Sequence, residues 1–159
     1  MDIYYDYTLY KPKEYKPYGL DRIHDRPWSF FSNLIDHVFI RGGEFSFRFS
    51  DSFYLTENPN DGIQSKDYDV FLLVSDPKYG YRIDWFSREN IDSLNEGYNH
   101  IGLYRNLDQS DKGTVFFDEI EIDVPINYLF DDVEVAKVFF KNIYDTRELP
   151  ENRYDLFKN

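Results

Sequence analysis

The chain has 159 residues, of which 42% are hydrophobic and 20% aromatic, with 15 Tyr and 15 Phe. This length predicts one domain over residues 1–159, with enough apolar surface to exclude an intrinsically disordered protein. There is no cysteine, which excludes disulfides, thiol nucleophiles and cysteine-ligated metal sites.

The net charge is −12, and the excess of acidic residues lies in the middle of the chain. Residues 51–132 hold 18 acidic and six basic side chains, whereas residues 1–50 and residues 133–159 each hold equal numbers of both. A field of this sign repels nucleic acid and anionic membranes and attracts a basic partner. We therefore expect no direct binding to nucleic acid or to a membrane.

Residues 1–26 alternate tyrosine with lysine, aspartate and proline, which predicts an extended segment with a short edge strand from Tyr4 to Tyr10. The first residues lack the basic and apolar regions of a signal peptide. No stretch has the roughly 20 apolar residues that a membrane span needs. We therefore expect a soluble, cytoplasmic protein.

Two amphipathic helices are predicted, one before the strands in the sequence and one after them. Residues 27–40 carry apolar side chains at helical spacing, and Asp25 is a candidate N-cap for them. Residues 131–145 form the second predicted helix, in which Asp131 and Glu134 resemble a capping box.

Residues 44–124 are predicted to form an antiparallel sheet. Its centre is the apolar run Val70 to Val74, which is too short for a buried helix and indicates a strand covered on both faces. Strict alternation over 81–86 predicts its antiparallel neighbour, and Thr114 to Val124 alternates as one further strand. The fold class is therefore α+β: an antiparallel, strongly twisted sheet of about five or six strands, with the N-terminal and C-terminal helices on one face and a tail over 146–159.

The sequence contains no motif that predicts catalysis or a bound cofactor. There is no phosphate-binding glycine loop, no His-x-x-x-His pair and no nucleophile elbow. A calcium loop over 57–62 is not predicted, because Pro59 would replace a ligand. In Asp76-Pro77-Lys78 the proline suits a turn rather than the strand that a metal-dependent nuclease motif requires. We expect no enzyme activity, no catalytic or metal-binding residue and no cofactor.

Carboxylates on the predicted strands and turns indicate a surface that binds a basic partner. Glu119, Glu121 and Asp123 follow one another along one face of the last predicted strand, at a spacing of roughly 6.5–7 Å. At this spacing they repel one another unless they face water, cations or a basic protein. A solvated sheet face is the alternative interpretation. The predicted partner-binding residues are Asp69, Asp84, Asp108, Asp111, Glu119, Glu121 and Asp123.

Two stretches, Gly42 to Phe49 and Asp69 to Val74, show the aromatic and apolar strand texture of a small acidic α+β protein. In size, charge and texture the chain resembles the immunity proteins of bacterial contact-dependent growth inhibition and related polymorphic toxin systems. No functional residue is carried over from that family. The resemblance implies a non-catalytic cytoplasmic protein that neutralises one cognate toxin C-terminal domain by direct binding. The expected partner is a basic, nuclease-type domain, bound through an acidic, aromatic-rich surface, with no small-molecule substrate.

Two other classes of function stay open. A nucleic-acid mimic, such as a phage-encoded inhibitor of a defence nuclease, needs carboxylates spaced like phosphates over a long surface, and this chain offers one short row. A small hydrolase with carboxylate catalysis is the other alternative, since 30 acidic residues include many candidate pairs.

Overall fold

A computed structural model describes residues 2–16, 21–50, 69–78, 80–87, 102–103, 112–117, 120–125 and 128–158. Within these residues the strands are β1 Asp2–Tyr10, β2 Lys13–Lys16, β3 Gly43–Ser50, β4 Val70–Asp76, β5 Gly80–Phe86, β6 Gly102–Leu103, β7 Lys112–Phe117, β8 Ile120–Pro125 and β9 Phe157–Lys158. The helices are α1 Trp28–Arg41, α2 Val133–Thr146 and α3 Arg153–Leu156, and Ile23–Asp25 forms a short 3-10 turn.

Seven of these strands form one antiparallel sheet in the order β2-β1-β3-β4-β5-β6-β9. The remaining two, β7 and β8, pair with each other in a separate two-stranded sheet. The predicted α+β class, with an antiparallel sheet and an N-terminal and a C-terminal helix, is confirmed. The main sheet has one or two more strands than predicted because short segments complete both of its edges.

The central strand of the main sheet is β4, and all of its residues are buried. Phe71 and Leu73 belong to the main hydrophobic core on one face, whereas Val70, Leu72 and Val74 belong to a second apolar cluster on the other face. The prediction of a central strand covered on both faces is therefore confirmed.

Aromatic side chains fill the layer between the main sheet and the two long helices. Phe45, Phe47 and Phe49 alternate along β3 and are buried. Phe31 of α1 lies 5.2 Å from Phe47, and Phe140 of α2 lies 4.9 Å from Phe45, measured between ring centroids. Edge-to-face pairs at these distances are favourable beyond the area that they bury. The alternation of β3 therefore sets the face on which both helices pack.

The two long helices run antiparallel across this face. Lys137 Nζ of α2 lies 2.8 Å from Asp36 Oδ1 of α1, and Trp28 at the start of α1 lies 5.6 Å from Tyr144 near the end of α2, between ring centroids. None of the helices in the described ranges combines the length and the apolar character needed to cross a membrane.

Both predicted helix caps are wrong, although both predicted helices are present. Asp25 does not cap α1, because its carboxylate accepts a hydrogen bond from the backbone N–H of Arg22 at 3.3 Å within the preceding 3-10 turn. The N-cap of α2 is Asp132, whose side chain accepts from the backbone N–H of Glu134 at 3.0 Å. The prediction of Asp131 is therefore off by one residue.

The two edges of the main sheet also differ from the prediction. β1 is not an edge strand, because it pairs with β2 on one side and β3 on the other. Tyr10 pairs with Lys13, so the chain reverses at Lys11-Pro12 and β2 becomes the edge. At the opposite edge the tail forms α3 and β9, and Phe157 pairs with Leu103 of β6.

The predicted single strand from Thr114 to Val124 is instead two strands, so the predicted continuous sheet over 44–124 is wrong in this part. Phe117 pairs with Ile120, so the chain reverses between β7 and β8. β7 contacts β4, whose other face is packed against α1. The two-stranded sheet, called here the β7–β8 hairpin, therefore covers the side of the main sheet that faces away from the helices.

Candidate functional site

The β7–β8 hairpin presents two of the predicted carboxylates at the surface. Glu121 and Asp123 are both exposed. They stand two residues apart on β8, so their side chains project from the same face of the strand about 7 Å apart. Their exposure shows that this face of the hairpin is turned towards solvent, where it can contact another protein.

The structure describes part of the predicted row of carboxylates. β8 begins at Ile120, and Glu121 and Asp123 follow on it. Glu119, Asp108 and Asp111 lie outside the described residues. The row that the structure describes consists of Glu121 and Asp123.

Asp84 is a buried residue, so the prediction that it belongs to an exposed acidic surface is wrong. Its Oδ2 lies 2.9 Å from Nε of Arg82, and both side chains are only 1% exposed. The two residues are two positions apart on β5 and therefore share a face of the main sheet. Burial raises the pKa of Asp84 to about 6, against the opposing effect of the Arg82 guanidinium.

The neighbours of this ion pair explain the direction of the pKa shift. Asp84 pairs with Leu72 of β4 and with Gly102 of β6, and Arg82 pairs with Val74. These neighbours remove water from the carboxylate, and desolvation outweighs the attraction of the Arg82 cation. The pair therefore belongs to the interior of the protein on β5 and does not contribute to a contact surface.

Asp69 stands at the entry of β4 and is half-buried. Its backbone carbonyl accepts a hydrogen bond from the N–H of Phe49 at 2.9 Å, which extends the pairing of β3 with β4 by one position. The structure therefore places Asp69 in the main sheet and the exposed pair on the hairpin. The predicted site residues that the structure describes therefore lie on two separate sheets.

A second polar cluster, on β1 and β3, was not predicted as a unit. Arg48 Nη2 lies 2.7 Å from Asp6 Oδ2, the Ser46 hydroxyl donates to Asp6 Oδ1, and Arg48 Nε donates to Ser46 Oγ at 3.3 Å. The alternation along β3 could have revealed this cluster in the sequence, because it places Ser46 and Arg48 on the face opposite the phenylalanines. This cluster contains one carboxylate and one guanidinium, so it balances its own charge.

Aromatic side chains lie mainly in the core. Among the described residues, the exposed aromatic side chains are Tyr15 on β2 and Tyr154 on α3, which are 47% and 58% exposed. Neither belongs to the β7–β8 hairpin. An aromatic contribution to the acidic surface therefore stays a prediction.

Within the described ranges, no three His, Asp or Glu side chains are arranged to hold a metal ion. In comparisons with known proteins, no family model, no curated protein and no solved structure matches the chain. Only the placement and charge of the chain's own residues therefore indicate a function.

Proposed function

We propose that this protein is a non-catalytic immunity protein that binds a basic, nuclease-type toxin domain through an acidic surface centred on the β7–β8 hairpin. The observation that carries the proposal is the exposure of Glu121 and Asp123 side by side on β8. They belong to the segment 51–132, which holds the whole excess of negative charge.

The contrast between exposed and buried carboxylates supports the choice of this surface. Asp84 is buried against Arg82 inside the sheet, and Asp6 is half-buried against Arg48. Glu121 and Asp123 are exposed on β8. Carboxylates about 7 Å apart repel each other weakly in water, and a cationic partner would turn that repulsion into attraction.

A basic nuclease fits this surface for a chemical reason. A nuclease must attract phosphate groups, so its cleft carries lysine and arginine. An acidic surface accelerates encounter with such a cleft and disfavours partners of its own charge. Inhibition then needs only that the bound protein blocks the cleft or a neighbouring site, without any chemical step.

The first experiment reads the sequence immediately upstream of this gene and, where a reading frame there ends in a basic C-terminal domain, measures binding to that domain. The wild-type protein and the double variant Glu121→Lys/Asp123→Lys are compared by surface plasmon resonance at two salt concentrations. We expect the double variant to bind at least tenfold more weakly, mainly through a slower association rate. We also expect its binding to depend less on salt than that of the wild type.

A matched control changes the same amount of charge elsewhere. Glu134→Lys/Asp155→Lys reverses two exposed carboxylates on α2 and α3, and it should weaken binding less than threefold. Equal losses in the two double variants would contradict the proposed surface. Absence of binding to any basic domain would contradict the proposed function, and inhibition of an unrelated DNA-binding nuclease would indicate a nucleic-acid mimic instead.

A further inference from the structure

The register of the β7–β8 hairpin determines which residues of β7 lie on the same face as the exposed carboxylates. Phe116 pairs with Glu121, and Thr114 pairs with Asp123. Residues directly opposite each other in an antiparallel pair lie on the same face of the sheet. Phe116 is therefore on the face that carries Glu121 and Asp123, and both of these carboxylates are exposed.

The chain reversal after Phe117 brings Phe116 to this face. In one continuous strand from Thr114 to Val124, residues an even number of positions apart would share a face, and Phe116 would lie with Ile120 and Ile122. In the hairpin Phe117 pairs with Ile120 instead. The reversal therefore separates Phe116 from the apolar positions of β8 and places it with the carboxylates.

The opposite face of the hairpin holds the other apolar residues of the two strands. It contains Gly113, Val115, Phe117, Ile120, Ile122 and Val124. This face suits the contact of β7 with β4, because β4 is apolar on both faces. Phe116 is the one aromatic residue of β7 and β8 on the carboxylate face, and the packing of the hairpin on the main sheet does not require it there.

The charges close to Phe116 are negative. Its cross-strand neighbour is Glu121, and the two residues that join the strands in the sequence are Asp118 and Glu119. Lys112 is the one basic residue of the two strands. It lies on the same face as Phe116 but four residues earlier, about 13 Å along β7. The hairpin end next to the reversal therefore combines an aromatic residue with an excess of carboxylates.

We propose that Phe116 is the apolar anchor of the acidic surface and packs against the stem of a lysine or arginine in the basic partner domain. These side chains join an apolar stem to a cationic head, so Phe116 and Glu121 suit the two parts of one side chain. Aromatic residues also attract cations over their rings, and they are frequent among the residues that contribute most to binding. This role rests on the proposed function, because it concerns the same surface and the same partner.

The first test uses the free protein and compares two neighbouring residues on opposite faces. 4-Fluorophenylalanine is incorporated at position 116 or at position 117, and gadodiamide, a neutral gadolinium chelate, is added as a relaxation probe. We expect the ¹⁹F signal to relax roughly threefold or more faster at position 116 than at position 117, because the register places only Phe116 on the exposed face. Equal relaxation, or faster relaxation at position 117, would overturn the proposal.

The second test measures binding to the basic domain by surface plasmon resonance. Phe116→Ala removes the ring without changing the charge, so it should raise the dissociation rate at least tenfold and leave the association rate within about twofold of the wild type. The charge reversals on β8 act mainly on the association rate instead. Thr114→Ala changes another residue on the same face, opposite Asp123, and should alter the dissociation rate less than threefold.

Thermal unfolding checks that the alanine variants are folded. Phe116→Ala should lower the midpoint less than Phe117→Ala, and the reverse order would count Phe116 as a core residue and overturn the proposal. An unchanged dissociation rate in Phe116→Ala, with normal binding of the wild type, would overturn the role of Phe116 and leave the proposed function intact. If the wild type binds no basic domain, the proposed function fails, and the role of Phe116 fails with it.

Discussion

The hydroxyl group of Tyr81 on β5 connects the main sheet to the first turn of α2, because it is hydrogen-bonded to Ala136. It accepts from the backbone N–H of Ala136 at 3.0 Å and donates to the backbone carbonyl of Asp132 at 2.6 Å. A side chain of a neighbouring strand thus satisfies two backbone groups of the helix. The aromatic ring of Tyr81 also stacks on Phe130, at 5.6 Å between centroids.

We expect Tyr81→Phe to lower the free energy of unfolding by about 1–3 kcal/mol, because it leaves a buried backbone N–H without its acceptor. Urea denaturation followed by circular dichroism measures the change. Tyr154→Phe is the control, since Tyr154 is 58% exposed, and it should change stability by less than about 0.5 kcal/mol. Similar values for the two variants would show that the Tyr81 hydroxyl contributes nothing specific.

The cap of α2 provides a second prediction that separates two neighbouring residues. Asp132→Ala removes the acceptor for the backbone N–H of Glu134 and should cost about 1 kcal/mol of stability. Asp131→Ala removes an exposed carboxylate at the position that the sequence pattern favours, and it should cost less than about 0.5 kcal/mol. Equal losses, or a larger loss at Asp131, would contradict the cap that the structure shows. Thermal unfolding of both variants decides between them.

Gly80→Ala is the third substitution for which we predict a loss of stability. Its φ of +98° is a conformation that L side chains rarely adopt, and a Cβ at this position would lie 2.3 Å from the backbone oxygen of Phe130. Backbone atoms on both sides would have to move, so Gly80→Ala should destabilise the protein by more than about 2 kcal/mol. Gly42→Ala is the graded comparison: its φ is +74°, but the nearest atom to its new Cβ is Pro77 Cδ at 3.0 Å. It should destabilise the protein less than Gly80→Ala, and the reverse order in denaturant melts would refute this account.

The raised pKa of Asp84 predicts a pH dependence of stability with a defined sign. Between about pH 4 and pH 6 the folded protein keeps the Asp84 proton, whereas the unfolded chain has released it. The unfolded state then binds fewer protons, so the contribution of Asp84 to stability falls as pH rises through this window and is constant above it. Because the pKa of Asp84 is raised from 3.8 to about 6, the total change in the free energy of unfolding is on the order of 3 kcal/mol.

The measurement compares unfolding curves of the wild type and Asp84→Asn between pH 4 and pH 7. The stability of the wild type relative to the variant should decline as pH rises towards 6. A flat difference curve for Asp84→Asn would show that the Arg82 guanidinium cancels the effect of desolvation, and a curve that rises with pH would show that it outweighs desolvation.

Local patterns were sufficient to predict the centre of the fold. Val70 to Val74 is an apolar run of strand length, and Phe45, Phe47 and Phe49 recur with period two, so both strands and their buried faces could be predicted. The same holds for the bodies of α1 and α2. These elements depend on periodicity within one segment, which the sequence displays directly.

The parts that were predicted wrongly depend on contacts between segments. Glycine or asparagine usually marks a tight hairpin turn. The sequence has Asp118-Glu119 at this point instead, so the alternating pattern over 114–124 predicts one continuous strand. The burial of Asp84 depends on what covers β5, and spacing shows only that Arg82 shares its face. The sequence predicts a site that extends over several strands. The carboxylates of that site that the structure shows to be exposed are Glu121 and Asp123 on one hairpin.

The buried ion pair on β5 also selects one alignment of that strand. Because side chains alternate between the two faces, a slip of one residue against β4 would move Arg82 and Asp84 into the aromatic layer beneath the helices. The same slip would move Ile83 and Trp85 out of that layer. Such a misaligned hairpin would place two charges among phenylalanines, which is energetically costly. β4 alone would not prevent the slip, because it is apolar on both faces. The pair thus excludes an alternative fold that hydrophobic burial alone would tolerate.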